Sequence, residues 1–64
     1  MKSDVVDIRG QIHAMTDRAV LFSDDGDRDG AEWLPLSQVE VEKHSHGVAT
    51  ITLPAWLALD KGLI

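Results

Sequence analysis

Every second residue from position 6 to position 14 is apolar or glycine: Val6, Ile8, Gly10, Ile12 and Ala14 alternate with Asp7, Arg9, Gln11 and His13. A period of two belongs to a strand with one face on a core and the other in water, because successive side chains leave a pleated backbone on opposite sides. The sheet that follows from it has to be small. A chain of 64 residues without cysteine has room for one core, held by packing alone at about 3 to 5 kcal/mol, with no disulfide and no thiolate-bound zinc to staple it. Gly10 falls on the inward face, where the missing side chain permits a bulge or the sharp bend that small barrels need at their corners.

The remaining segments fit the same plan. Met15-Thr16-Asp17-Arg18 is a polar break of hairpin length, and residues 19–22 follow as a second strand, antiparallel to the first. Ser23-Asp24-Asp25-Gly26-Asp27-Arg28-Asp29-Gly30 is rich in turn formers and too polar for a core, so it reads as an exposed loop. Glu32-Trp33-Leu34 predicts a third strand ended by Pro35, and Leu36-Ser37-Gln38 a tight turn. Val39-Glu40-Val41-Glu42 alternates again with its valines inward, and His44-Ser45-His46-Gly47 turns the chain into a fifth strand over residues 48–52. The period then changes. Thr52 is expected to cap a helix with Pro54 in its first turn and Gly62 as its stop, packed on the sheet through Trp56 and Leu57. Trp33, Trp56 and Phe22 are expected to be the largest contributors to the core. The fold class is α+β: a small antiparallel β-sheet or partly open barrel of about five short strands with one short C-terminal α-helix, in a single domain over residues 1–64.

At 44% hydrophobic residues the composition is that of a globular chain, so disorder is not the default. Met1-Lys2-Ser3-Asp4 lacks the features of a signal peptide, and no apolar run approaches the roughly 20 residues of a membrane span. The absence of cysteine fits a reducing cytoplasm. Eleven acidic against six basic residues give a formal charge of −5, which disfavours direct contact with nucleic acid and favours a basic protein partner, and no membrane partner is expected.

Several constellations are weaker than they first look. Asp25-Gly26-Asp27-Arg28-Asp29-Gly30 matches the first half of a calcium loop, but Leu36 stands where the bidentate glutamate belongs and the flanks are strands, so a solvated hairpin loop is the better reading. His13, His44 and His46 have no obviously placed carboxylate beside them and read as surface residues rather than as a zinc site. No nucleophile with a base and no glycine-rich phosphate cradle is evident, so neither an enzyme nor a cofactor is expected. Trp33 and Trp56 lack the basic groove that a base-stacking platform requires.

What remains is the acidity. Asp24, Asp25, Asp27 and Asp29 crowd one loop, Glu32 follows it, and Glu40 and Glu42 lie about 7 Å apart on the outward face of one strand, a spacing of the order of that between backbone phosphates. Such an array can imitate DNA. Charge placed for solubility, and to protect edge strands from aggregation, explains the same residues, and on composition alone it is the preferred explanation.

Three stretches carry a resemblance. Thr16-Asp17-Arg18-Ala19-Val20-Leu21, Trp33-Leu34-Pro35-Leu36-Ser37-Gln38 and Leu53-Pro54-Ala55-Trp56-Leu57-Ala58 with Lys61-Gly62-Leu63 are similar to a pattern of small phage and mobile-element proteins, and the match spans most of the chain. As a tiny, acidic, cysteine-free protein it resembles anti-CRISPR proteins, in particular those directed against the type I-C Cascade surveillance complex. Leu36 and Arg18 depart from the pattern's lysines. The resemblance implies an inhibitor in the host bacterial cytoplasm that occupies the site on Cascade where lysines and arginines would grip the target duplex; Asp24, Asp25, Asp27, Asp29, Glu32, Glu40 and Glu42 are the candidate contacts because they cluster in sequence on a loop and its adjoining strands, and a monomer is expected. The alternative is a phage accessory or structural domain that docks through an apolar patch around Trp56, Leu63 and Ile64.

Overall fold

The structure, a computed structural model, describes residues 4–64. Residues 1–3, which carry most of the start read above as lacking a signal peptide, lie outside the described residues. The element order is β1 (Val5–Met15), β2 (Ala19–Ser23), a 3₁₀ turn (Arg28–Gly30), β3 (Glu32–Pro35), β4 (Glu40–Lys43), β5 (Val48–Pro54) and α1 (Ala55–Asp60). The five strands form one antiparallel sheet in the order β3-β2-β1-β5-β4. Of the two expected arrangements, antiparallel sheet or partly open barrel, this is the open sheet, with the one short C-terminal helix.

β1 belongs to two wings at once. Val5 to Gln11 pair with β5, from Val5 opposite Pro54 to Gln11 opposite Val48, while Gln11, Ile12, Ala14 and Met15 pair with β2. A register shift between Ile12 and Ala14 leaves His13 as the extra residue of a bulge, which raises the local twist where one wing gives way to the other. Gly10 lies beside this switch. A Cβ there would fall 2.1 Å from the Ser23 carbonyl oxygen and 2.9 Å from the Asp24 Cα, so only glycine lets the end of β2 cross β1 at this point. The bulge or bend expected at Gly10 falls instead at His13; Gly10 itself pairs in regular register with Ala49, and glycine is required there by the close approach of the end of β2.

The wings bury a common core. Val20, Phe22 and Leu34 from one and Ile51 and Leu53 from the other are almost fully enclosed, with Leu57, Ala58 and Leu63 from the C-terminal segment closing the cluster. Val39 joins it from the connection between β3 and β4, where the Gln38 amide donates to the Pro35 carbonyl at 3.0 Å. The β1–β2 turn is held by Thr16, whose Oγ1 accepts from the amides of Arg18 and Ala19 at 3.2 and 3.0 Å. At the β4–β5 turn His46 and Gly47 both have positive φ, 59° and 78°, and the Val48 amide donates to the Ser45 carbonyl, the geometry of the hairpin turn whose twist matches the strands it joins.

The C-terminal segment departs from expectation in three ways. Thr52 is no helix cap: it lies within β5, which runs on to Pro54, and its hydroxyl donates to Asp7 Oδ1 at 2.6 Å. Pro54 is the N-cap, with no side-chain bond of its own, because a ring-fixed φ of −60° suits both the end of a strand and the entry to a helix. Leu57 and Ala58, not Trp56, face the sheet. Gly62 does stop the helix, at φ 73°: its amide donates to Leu59 and the Leu63 amide to Ala58, a Schellman turn that folds Leu63 back onto the core. Neither tryptophan is core, since Trp33 is 46% and Trp56 58% exposed. Among the described residues no helix is long and apolar enough to cross a membrane.

Candidate functional site

Pairing register decides which carboxylates share a face. Residues directly opposite in an antiparallel ladder project to the same side. Glu40 lies opposite Thr52, which lies opposite Asp7, and Glu42 lies opposite Thr50, which lies opposite Arg9. The outer face of the β1–β5–β4 wing therefore carries Asp7, Glu40 and Glu42 with Arg9 among two threonines. Asp7, Arg9, Glu40 and Glu42 are exposed. Asp7 was not singled out from the sequence, where only the alternation marked it as outward; its alignment with Glu40 depends on the partner of β1, which local pattern does not reveal.

The other acidic residues sit in the second wing. Asp24, Asp25, Asp27 and Asp29 are exposed on the β2–β3 connection. Two of them shape it: Asp25 Oδ1 accepts from the Asp27 amide at 2.9 Å, and Asp27 Oδ1 accepts from the Asp29 amide at 3.0 Å, capping the 3₁₀ turn. Glu32 differs from the rest. Opposite Phe22, which is fully buried, it lies on the core side of β3 and is half-buried, so it does not belong to an outward array.

The strand order thus divides the seven candidates. Glu40 and Glu42 stand on one edge strand, Glu32 on the opposite edge strand, and the four aspartates on the loop that leads to it. Among the described residues no lysine or arginine forms an ion pair with any of these carboxylates, so the charges are left to solvent and to whatever approaches.

The histidines are dispersed. His13 Nε2 lies 2.8 Å from Ser23 Oγ, His44 Nε2 lies 3.0 Å from Thr50 Oγ1, and His46 sits at the tip of the β4–β5 turn. Among the described residues no three His, Asp or Glu side chains are grouped as a metal ion would require. A shallow open hollow beside the β4–β5 turn is lined by Ile12, Lys43, His44, Gly47 and Val48. Gln11 ties that turn to β1 by donating from Nε2 to the His46 carbonyl at 3.2 Å.

The apolar patch also differs from the one expected. Leu63 is buried, and the exposed group is Trp56, Leu59 and Ile64 at 58, 63 and 57%. Trp56 and Leu59 are three apart in α1 and so share its outward face.

Comparison with known protein families, curated proteins and solved structures finds no match.

Proposed function

We propose that this chain is an inhibitor of the anti-CRISPR kind, a DNA mimic that uses its carboxylates to fill the basic groove in which a nucleic-acid-binding protein holds DNA. Type I-C Cascade, in the host bacterial cytoplasm, is the partner to which the sequence resemblance leads. The supporting observation is the outer face of β4: Glu40 and Glu42 are exposed, two residues apart on a paired strand, and among the described residues without a cationic neighbour in ion-pair contact. A rigid pair of carboxylates at that spacing meets lysines and arginines placed for phosphates, and a net charge of −5 steers the approach. Asp7 carries the charge across the outer face of the same wing, and the loop aspartates add charge toward the opposite edge of the sheet. Glu32, half-buried, contributes least.

The test is direct. Reversing Glu40 and Glu42 to lysine is expected to abolish capture of Cascade from a lysate at low salt while leaving the circular dichroism spectrum unchanged. Retained capture by the double variant overturns the mimic.

A second reading has its own observation. Trp56, Leu59 and Ile64 expose an apolar surface on which an accessory phage domain would dock to a larger assembly. Salt separates the two, because carboxylate binding weakens steeply as ionic strength rises and apolar docking does not.

A further inference from the structure

The β2–β3 connection holds two aspartyl-glycine steps, Asp25-Gly26 and Asp29-Gly30, and the chain has no asparagine. Such a step is prone to rearrange, because the glycine amide is unhindered and its nitrogen can attack the side-chain carbonyl carbon of the residue before it. All four residues are exposed, and no heavy atom lies within 4 Å of where a side chain at Gly26 or Gly30 would begin. Neither exposure nor room separates the two steps. Hydrogen bonding does. The Gly30 amide donates to the Asp27 carbonyl at 3.1 Å within the 3₁₀ turn, which Asp27 Oδ1 caps at the Asp29 amide. Among the described residues the Gly26 amide donates to no protein acceptor. Asp25 is at the same time held close to it: Oδ1 accepts from the Asp27 amide at 2.9 Å, closing a ring of atoms that contains both the Asp25 Cγ and the Gly26 nitrogen. The same bond draws electron density away from Cγ.

We propose that Asp25-Gly26 is a modification site at which the chain rearranges to isoaspartate, while Asp29-Gly30 keeps its ordinary linkage. The Gly26 amide gives its proton to solvent and its nitrogen bonds to Asp25 Cγ; the Cγ–OH bond of the neutral carboxyl breaks, and that oxygen leaves as water. The product is a succinimide ring. Water then adds to one of the two ring carbonyls. Attack at Cγ restores aspartate. Attack at the main-chain carbonyl carbon breaks its bond to the Gly26 nitrogen, so the backbone now runs through Cγ and the former main-chain carbonyl becomes a free carboxylate. One water leaves and one returns, nothing is oxidised or reduced, and the loop keeps its charge. What changes is shape, because the backbone gains a carbon where Asp25 Oδ1 held the Asp27 amide. At Asp29-Gly30 the same attack first has to break the Gly30–Asp27 hydrogen bond and unwind the turn. The proposal does not rest on the inhibitor reading.

The test ages the purified, folded chain at neutral pH. Peptide mapping locates isoaspartate, and an isoaspartyl carboxyl methyltransferase with labelled S-adenosylmethionine is the probe for its total. Isoaspartate is expected at residue 25 roughly five-fold or more faster than at residue 29, the factor by which one net backbone hydrogen bond holds an amide back. In concentrated urea the two steps are expected to react at nearly equal rates. Asp25→Glu, whose side chain would have to close a larger and less favourable ring, is expected to remove most of the labelling of the folded chain, and Asp29→Glu to leave it unchanged. Equal rates at the two positions in the folded chain overturn the proposal. A preference for residue 25 that persists in urea belongs to the neighbouring residues rather than to the fold and overturns it too. So does a folded chain in which residue 25 stays aspartate, whether or not residue 29 rearranges.

Discussion

Glu40 and Glu42 hang from a strand whose four residues are each paired with β5, whereas the aspartates of residues 24–29 hang from a loop that two of those aspartates hold in shape. Both regions are acidic and exposed, so by composition they are one feature. Physically they are two. On β4 the ladder and the inward Val41 fix the backbone, and the carboxylates have no part in the fold. On the loop Asp25 and Asp27 each accept a backbone amide, so part of their charge is committed to local structure. Loss of binding after a loop substitution would therefore mix charge with shape, and β4 is the cleaner probe.

The largest effect is expected where the two wings meet. Gly10→Ala puts a methyl group into the Ser23 carbonyl and the Asp24 Cα, backbone atoms that cannot swing aside as a side chain would. The cost is expected to be about 3 kcal/mol, most of the stability that a core of this size provides. Urea denaturation followed by tryptophan fluorescence or circular dichroism measures it. The crossing seats the root of the acidic loop on β1, so the variant disturbs the loop before β4. A Gly10→Ala protein within about 0.5 kcal/mol of the parent would mean that the end of β2 does not cross β1 here.

The difference between the wings also explains what the sequence reveals. β1, the turn at residues 16–18, the loop and the alternation of β4 are legible because period and turn chemistry are local properties of the chain. The sharing of β1 between two wings is not local. It decides that Asp7 aligns with Glu40, which does not follow from the residues around either; the inward turn of Glu32 does follow locally, since it stands two residues before the buried Leu34 on β3. The tryptophans mislead for a related reason. Phe22, Leu34, Ile51, Leu53 and Val20 are the largest fully buried apolar side chains in the space between two short wings, and both indoles remain outside. Burying a tryptophan is favourable only where the wings leave a space of that size, and five strands of this length do not. Thr52 misleads because a threonine two residues before a proline satisfies a capping pattern equally well when it is an outward residue near the end of a strand; only the neighbouring Asp7, 45 residues away in sequence, decides the matter.

A smaller effect sharpens the contrast on the loop side. Asp27→Ala removes the acceptor that caps the 3₁₀ turn at the Asp29 amide and is expected to cost about 1 kcal/mol, as loss of a helix N-cap does. Asp27→Asn keeps an oxygen in the same place and is expected to recover most of the loss without the charge. Thermal melts of the two variants side by side measure the split. Equal destabilisation by Ala and Asn would show that the carboxylate charge, not its hydrogen bond, supports the loop, and the distinction between the two acidic regions would narrow.

The smallest stability effect is expected on β4. Glu40→Gln with Glu42→Gln leaves the side-chain size, the strand pairing and the inward Val41 as they are, and removes two like charges from one exposed face. Among the described residues no cation in ion-pair contact is lost, so the change in stability is expected to stay within about 0.5 kcal/mol. Binding to a basic groove should respond quite differently. Two of the charges that a phosphate-reading surface would meet are gone, so affinity at low salt falls and the dependence of binding on ionic strength becomes shallower. Denaturation and a salt series on the same double variant read both quantities. A loss of more than about 1 kcal/mol would give these glutamates a structural duty. They would then be the same kind of residue as Asp25 and Asp27, and the rigid, unencumbered pair on which the mimic rests would not exist.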